Sequence, residues 1–193
     1  YNTMKIQQMM ELARINIPKQ LYREAMEYYY DGNLDKAVKL LFEASYQSND
    51  SLNAEIEFKK YIIADEMFNN SDVLIKGKSI DGKISFYNNL SEISNKIDDE
   101  VNNQISLLLI QKGDSLINKN KYERGYMNYV LSLGKYPDRK NIIDIKVNNM
   151  ITKLLNDIYN FLQNKDYVIA YEHLSFIKDI SSNNQNVDVL FSL

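Results

Sequence analysis

The side chains that usually carry catalysis or bind metals are scarce in this sequence. Its 193 residues include no Cys and no Trp, and His173 is the single His. A thiol nucleophile, a disulfide and a metal site built from Cys or paired His are therefore excluded. An enzyme would have to work with carboxylates alone, which is a distant alternative. We expect no catalytic residues and no metal ligands.

Two short motifs have the composition of ligand-binding loops but lack residues that such loops need. The segment 77–79, Gly-Lys-Ser, matches the end of a phosphate-binding loop, yet Asp72 stands where that loop needs its first Gly. The acidic run 98–100 could suggest a cation site, but it is also typical of the first turn of a helix, and we favour that interpretation. We therefore expect no bound nucleotide or other cofactor.

The overall charge narrows the class of partner. Lys and Arg number 23 against 26 Asp and Glu, a net charge of −3, and the basic residues form no stripe. Proteins that bind nucleic acid are usually basic, so we expect no nucleic-acid partner for this chain. No stretch reaches the roughly 18 apolar residues of a membrane span, so we expect no membrane insertion by this chain. The composition is compatible with a cytoplasmic or an extracytoplasmic location.

The spacing of apolar residues predicts helices throughout the chain. Val147, Ile151, Leu154 and Ile158 recur at intervals of three or four, which places them on one face of a helix. Only two Pro and six Gly interrupt the sequence, too few for a β protein rich in turns. We expect helices at 4–15, 19–30, 34–47, 52–69, 83–97, 99–118, 121–135, 139–163 and 166–179.

Three of the connecting turns share a pattern that predicts close helix packing. Each turn ends in a small residue, Ala37, Gly125 or Ala170, three positions after a large one. In two of them a second small residue, Ala25 or Gly113, lies twelve positions earlier. Small residues that face each other allow two antiparallel helices to approach closely. Gly inside a helix costs about 1 kcal/mol relative to Ala, so both Gly residues need such a reason.

This pattern resembles the tetratricopeptide repeat, a helix-turn-helix unit of roughly 34 residues. The segments 18–51 and 106–139 match well, and 151–184 matches more weakly because Ile158 stands where a small residue is expected. The resemblance implies an all-α fold in which antiparallel helix-turn-helix repeats stack as a right-handed α-solenoid. The matching residues of the best repeat are Leu21, Ala25, Tyr28, Gly32, Asp35, Ala37, Leu41 and Ala44.

The resemblance also organises the whole chain as one repeat domain over 1–193. Tyr1 in place of Met, and the apolar residues at the other end, lead us to expect a piece of a longer protein. The expected parts are a capping helix in 1–17, a first repeat at 18–51, an irregular helix pair at 52–98 with a long exposed loop at 70–83, a third repeat at 99–139, a fourth at 139–184, and a truncated end at 185–193.

In tetratricopeptide arrays the first helix of each repeat lines the concave surface, and its exposed positions contact ligands. We call this surface the first-helix face. An alternative is that some of its residues only pack against the neighbouring repeat. The partner-binding residues that the resemblance implies are Lys19, Tyr22, Met26, Tyr29, Tyr30, Ile110, Asp114, Ile117, Leu155, Tyr159 and Leu162.

The sequence thus predicts a non-catalytic scaffold that binds another protein or a peptide segment along the first-helix face. Aromatic and aliphatic anchors suit the apolar side chains of an extended or helical peptide. The alternative is a self-associating, structural assembly module of a larger protein, such as a bacterial cell-envelope protein. In that case helices near either end pack against another copy, and the N-terminal helix is rich in flexible apolar side chains.

Overall fold

The computed structural model describes residues 2–182, and within them the chain forms nine α-helices, two 3₁₀-helices and no strand. The prediction of an all-α fold is therefore confirmed. None of the helices in this range is long and apolar enough to cross a membrane. The predicted truncated end, 185–193, lies outside the described residues. The α-helices are α1 (Asn2–Tyr30), α2 (Leu34–Gln47), α3 (Asp50–Asn69), α4 (Ser71–Leu74), α5 (Ile80–Ile93), α6 (Asp98–Ile117), α7 (Tyr122–Lys135), α8 (Lys140–Gln163) and α9 (Tyr167–Ser182).

The first helix is longer than the sequence predicts. α1 runs without a break through Pro18, so the prediction of two separate helices at 4–15 and 19–30 is wrong. Proline has a helical φ and removes one backbone donor, so it weakens a helix without obliging it to end. Just before Pro18, Asn16 Nδ2 donates to the carbonyl of Leu12 at 2.8 Å, one helical turn back.

The turns after α1, α6 and α8 share one backbone geometry. Each contains a residue with positive φ: Gly32 at 76°, Asn120 at 58° and Lys165 at 66°. At each turn the N–H of this residue bonds to the carbonyl three positions back, and the next N–H bonds to the carbonyl five positions back. This is the Schellman motif, which satisfies the last carbonyls of a helix. The three turns that the sequence aligns are therefore equivalent in structure.

Helix packing divides the chain into two compact units, one that ends at Val101 and one that begins at Asn102, inside α6. In unit 1 the second half of α1 packs on α2 and α3. Ala25 and Ala37 have no exposed surface, as the small-residue pattern predicts. The fully buried residues of this core are Ala25, Ala37, Leu41, Ala44, Ile56 and Ile63.

In unit 2, α6 and α7 cross closely at two glycines. A Cβ atom on Gly113 would lie 2.6 Å from Cε1 of Tyr129, and one on Gly125 would lie 2.5 Å from Cγ1 of Ile117. The two added atoms would also lie 3.0 Å and 3.2 Å from the carbonyl oxygen of the opposite glycine. The predicted close crossing is confirmed. α8 and α9 supply most of the remaining core, with Ile143, Val147, Met150, Ile151, Leu154, Ile158, Ala170, Ile177 and Ile180.

The connection between α3 and α5 contains more helix than the sequence predicts. In place of a single loop over 70–83, the chain forms α4 and enters α5 at Ile80. Ser71 is buried, and its Oγ accepts a hydrogen bond from Tyr87 Oη at 3.1 Å. Ser79 caps α5 by accepting from the N–H of Gly82, also at 3.1 Å. Polar residues here cap a helix or bond inward, which composition alone does not distinguish from a loop.

Candidate protein-binding face

The first-helix face of unit 1 is formed by α1 and α3. Tyr22 Oη donates to Glu55 Oε1, and Tyr29 Oη donates to Glu66 Oε1, each at 2.8 Å. Because the residue numbers rise together along both helices, the second half of α1 and α3 run parallel. Both tyrosines are half-buried. They are part of the packing between the two helices, and they keep one side on the surface.

Both hydroxyls are held in the neutral form that donates. Burial, followed by the hydrogen bond to Glu55, raises the pKa of Tyr22 above its ordinary value. For Tyr29 the hydrogen bond to Glu66 is the main cause of the raised pKa, and burial adds to it. A phenol that donates to a carboxylate makes a strong, charge-assisted bond. The orientation of each ring is therefore fixed by its acidic partner.

The other predicted residues of this face differ in exposure. Tyr30 is 77% exposed, and its ring centroid lies 5.4 Å from that of Tyr29. Lys19 is exposed, whereas Met26 is half-buried against the core of unit 1. Lys59 of α3 places its Nζ 5.9 Å from the ring centroid of Tyr29. This end of the face therefore offers an aromatic pair beside a cation.

On α6, two of the predicted residues are core residues. Ile110 and Ile117 are 6% and 7% exposed and belong to the core of unit 2. The structure corrects their assignment as partner contacts, because neither offers a surface. Ile117 lies over Gly125, where the absence of a side chain leaves room for it. The repeat spacing predicts which residues share a face of α6, but it does not show which neighbouring helix packs against that face.

Asp114, also predicted to face a partner, bonds to two neighbouring helices. Its carboxylate accepts from Tyr129 Oη at 2.6 Å and from Lys146 Nζ at 2.7 Å. Burial, followed by this hydrogen bond, raises the pKa of Tyr129. Asp114 thus links α6 to both α7 and α8, and its bonding capacity is used inside unit 2.

The three predicted residues of α8 are in different environments. Leu155 is half-buried against the core of unit 2. Tyr159 is 64% exposed and Leu162 is 42% exposed. Across both units, the predicted residues that keep accessible surface are Lys19, Tyr22, Met26, Tyr29, Tyr30, Asp114, Leu155, Tyr159 and Leu162.

The sequence analysis missed the acidic groups that the tyrosines bind. Tyr122 Oη donates to Asp157 Oδ2, and burial followed by this bond raises the pKa of Tyr122. Tyr22 precedes Tyr29 by seven residues, and Tyr122 precedes Tyr129 by the same interval. Seven residues are about two helical turns, so each pair shares a face, and this spacing is a usable signal. The acids lie 15 to 37 residues from their tyrosines, and no local pattern marks them.

The described residues bring no three His, Asp or Glu side chains together as a metal site. His173 packs among aromatic rings, with centroid distances of 6.0 Å to Tyr122 and 5.6 Å to Phe161. A hollow of about 440 Å³ lies in unit 1 between α2, α3 and α5. Its lining combines apolar side chains, such as Phe42 and Phe86, with the charged side chains of Asp35, Lys78 and Glu92.

Comparisons with family models, with curated proteins and with solved structures found no match to this chain. An inference about function therefore rests on the surfaces of the two units. The first-helix face of unit 1 combines exposed aromatic area with side chains fixed by hydrogen bonds. The corresponding residues of α6 are largely packed inside unit 2.

Proposed function

We propose that this chain is a non-catalytic scaffold of the tetratricopeptide type, in which hairpins stack as a right-handed α-solenoid, and that it binds a segment of another protein on the first-helix face of unit 1. Two features support the repeat. The turns after α1, α6 and α8 have the same geometry. Alternate helices also run parallel within each unit, since Lys146 and Lys153 of α8 bond to Asp114 and to the carbonyl of Ile117 on α6 in the same order.

The binding proposal depends on the aromatic pair at the C-terminal end of α1. Tyr30 is 77% exposed beside Tyr29, whose hydroxyl is held by Glu66. Tyrosine is enriched among the residues that contribute most to binding energy. A side chain that is fixed before binding loses less conformational entropy when a partner orders it. An exposed aromatic next to a fixed one is therefore a favourable anchor point.

The side chains of the first-helix face indicate what kind of segment it would bind. Aromatic rings and the thioether of Met26 favour a segment with a large apolar side chain. Lys59 Nζ lies 5.9 Å from the ring centroid of Tyr29, and Glu66 accepts the hydrogen bond of the Tyr29 hydroxyl. The cation at this end of the face favours an acidic residue beside the apolar anchor of the partner. We expect a short extended or helical segment of this kind, bound along α1 and α3.

Affinity capture from a native lysate, with identification of the retained proteins by quantitative mass spectrometry, tests this proposal. The bait is the chain itself, the variant Tyr30→Ala, or the control variant Tyr46→Ala. Tyr46 lies on α2 and is 93% exposed. Tyr46→Ala therefore removes the same kind of side chain from a different surface. Neither change should alter stability by more than about 0.5 kcal/mol, because both side chains are exposed.

A partner of the first-helix face should be retained by the unchanged chain and by Tyr46→Ala. With Tyr30→Ala its recovery should fall about tenfold or more, the loss expected for a residue that anchors an interface. Titration calorimetry with a segment of that partner then measures the affinity directly. If every retained protein is held equally by all three baits, Tyr30 is not an anchor and the proposed face is wrong.

A further inference from the structure

The first half of α1 exposes most of its apolar side chains. Among the residues that form the core cluster of unit 1, those from α1 all follow Pro18. Apolar surface concentrated on one element of a protein usually marks an interaction site. The exposed side chains and their accessible fractions are Met4 70%, Ile6 56%, Met9 62%, Met10 68%, Leu12 60%, Ile15 43% and Ile17 44%.

Four residues of this segment form a seam with the spacing of a coiled coil. Ile6, Met10, Ala13 and Ile17 follow one another at intervals of four, three and four residues, and all four are exposed. This alternation keeps side chains on one line of a helix, which another helix can cover. At about 1.5 Å per residue, the seam is about 17 Å long. It is turned by roughly a quarter of a circle from the side of α1 that carries Ala25.

The order of these residues makes the seam complementary to itself. The intervals four, three, four read the same in both directions, so a second helix laid antiparallel places a seam residue opposite every seam residue. Ile6 then meets Ile17 of the second copy, and Met10 meets Ala13. A large side chain opposite a small one fills the layer between the helices. A parallel pair would instead place Ala13 opposite Ala13 and leave a gap, which is unfavourable.

The residues that flank the seam also permit this pairing. In the antiparallel register Arg14 comes beside Gln7 of the second copy, and Met9 comes beside Asn16, so no like charges meet. An interface that matches residue i with residue j, and j with i, is what a two-fold axis requires. In this register Pro18 of one copy lies opposite Lys5 of the other, so the packed parts of unit 1 lie at opposite ends of the seam.

We propose that the occupant of this seam is a second copy of the chain, bound antiparallel through Ile6, Met10, Ala13 and Ile17. The seam is a different surface from the first-helix face, so either proposal can fail without the other. A contact about 17 Å long is shorter than a standard interface, which buries about 1,600 Å² in total. The association is therefore weak, with a dissociation constant in the micromolar range or above.

Sedimentation equilibrium over a range from about 1 μM to about 1 mM tests the association. The chain should change from monomer to dimer, and Ala13→Glu should weaken dimerisation about tenfold or more, because it buries a charge opposite Met10 of the second copy. Leu12→Glu is the matched control, since it adds the same charge one residue away and off the seam. Its dissociation constant should stay within about twofold of the original. A monomer at every concentration, or equal effects of the two variants, overturns the proposal.

The absence of Cys from the sequence allows a direct test of orientation. Two single-cysteine variants, Ile6→Cys and Ile17→Cys, are prepared separately and then mixed under mild oxidation. Antiparallel pairing joins one variant to the other, whereas each variant alone should give at least about tenfold less disulfide dimer. Efficient cross-linking of each variant with itself would mean a parallel pair, and no cross-linking in the mixture would mean no such contact. Either result overturns the proposal.

Discussion

Tyrosine hydroxyls bridge neighbouring helices in both units. Tyr22 and Tyr29 bond to glutamates of α3, Tyr122 bonds to an aspartate of α8, and Tyr129 bonds to an aspartate of α6. In each case the tyrosine pKa is raised above its ordinary value, so the phenol stays a neutral donor to a higher pH than a free tyrosine would. A chain without Cys, Trp or paired His thus fixes helix positions through side chains that are apolar along the ring and polar at the tip.

The glycines of the α6–α7 crossing give the first prediction at the residue scale. Gly125→Leu should lower the free energy of unfolding by about 1–3 kcal/mol or more. The reason is that even a Cβ atom there would lie 2.5 Å from Cγ1 of Ile117. Urea denaturation followed by circular dichroism measures the change.

Gly134 provides the matched control, because it lies on the same helix and a Cβ atom there would have no neighbour within 4 Å. Gly134→Leu should leave the free energy of unfolding unchanged or raise it by up to about 1 kcal/mol, because Leu favours a helix more than Gly does. Equal stability of the two variants would show that α6 and α7 do not approach closely at Gly125.

At the scale of the element, the turns were the most predictable part of the fold. A small residue three positions after a large one identified three turns that have one geometry in the structure. The course of the chain through Pro18 and through 70–83 was less predictable. A proline restricts φ to a value that helices also use, and a serine can cap a helix as readily as it can solvate a loop. Whether the helix continues through Pro18, and whether 70–83 is helical, depends on packing against other helices, which the local sequence does not reveal.

The continuity of α1 through Pro18 gives a prediction for this element. Pro18 lacks an N–H, so the carbonyl of Arg14 has no helical donor, and a proline in a helix interior costs about 3 kcal/mol relative to Ala. Pro18→Ala should therefore slow hydrogen exchange of the backbone amides at 7–17 about fivefold or more. Mass spectrometry at a low chain concentration measures exchange in the monomer. Lys19→Ala is the control, and equal exchange in the two variants would show that Pro18 does not limit this helix.

For the molecule as a whole, most of the candidate contact residues keep accessible surface, but two of them are buried. Tyr30 and Tyr159 are exposed as expected. Ile110 and Ile117 are buried, because α6 packs against α7 and α8 along the side that the repeat pattern assigned to a partner. Which residues share a face of a helix follows from the sequence of that helix. Which of its faces is buried depends on helices that are distant in the sequence. Exposure could therefore be assigned only from the structure.

Self-association through α1 would connect the oligomeric state of the molecule to its stability. When only folded chains pair, a higher concentration shifts the folding equilibrium toward the folded form. At a total chain concentration ten times the dissociation constant, about one folded chain in five is still monomeric, so the added stability is RT ln 5, about 1 kcal/mol. For a chain of this length, that corresponds to a rise in melting temperature of about 2–4 °C.

Differential scanning calorimetry at several chain concentrations checks this last prediction. The melting temperature should rise with concentration for the unchanged chain and for Leu12→Glu, whose seam is intact. It should rise much less for Ala13→Glu, because a charge at that position weakens the pairing about tenfold or more without touching the core of unit 1. A concentration-independent melting temperature for the unchanged chain would mean that folding and association are not linked. The apolar residues of α1 would then contribute nothing to stability through a second copy.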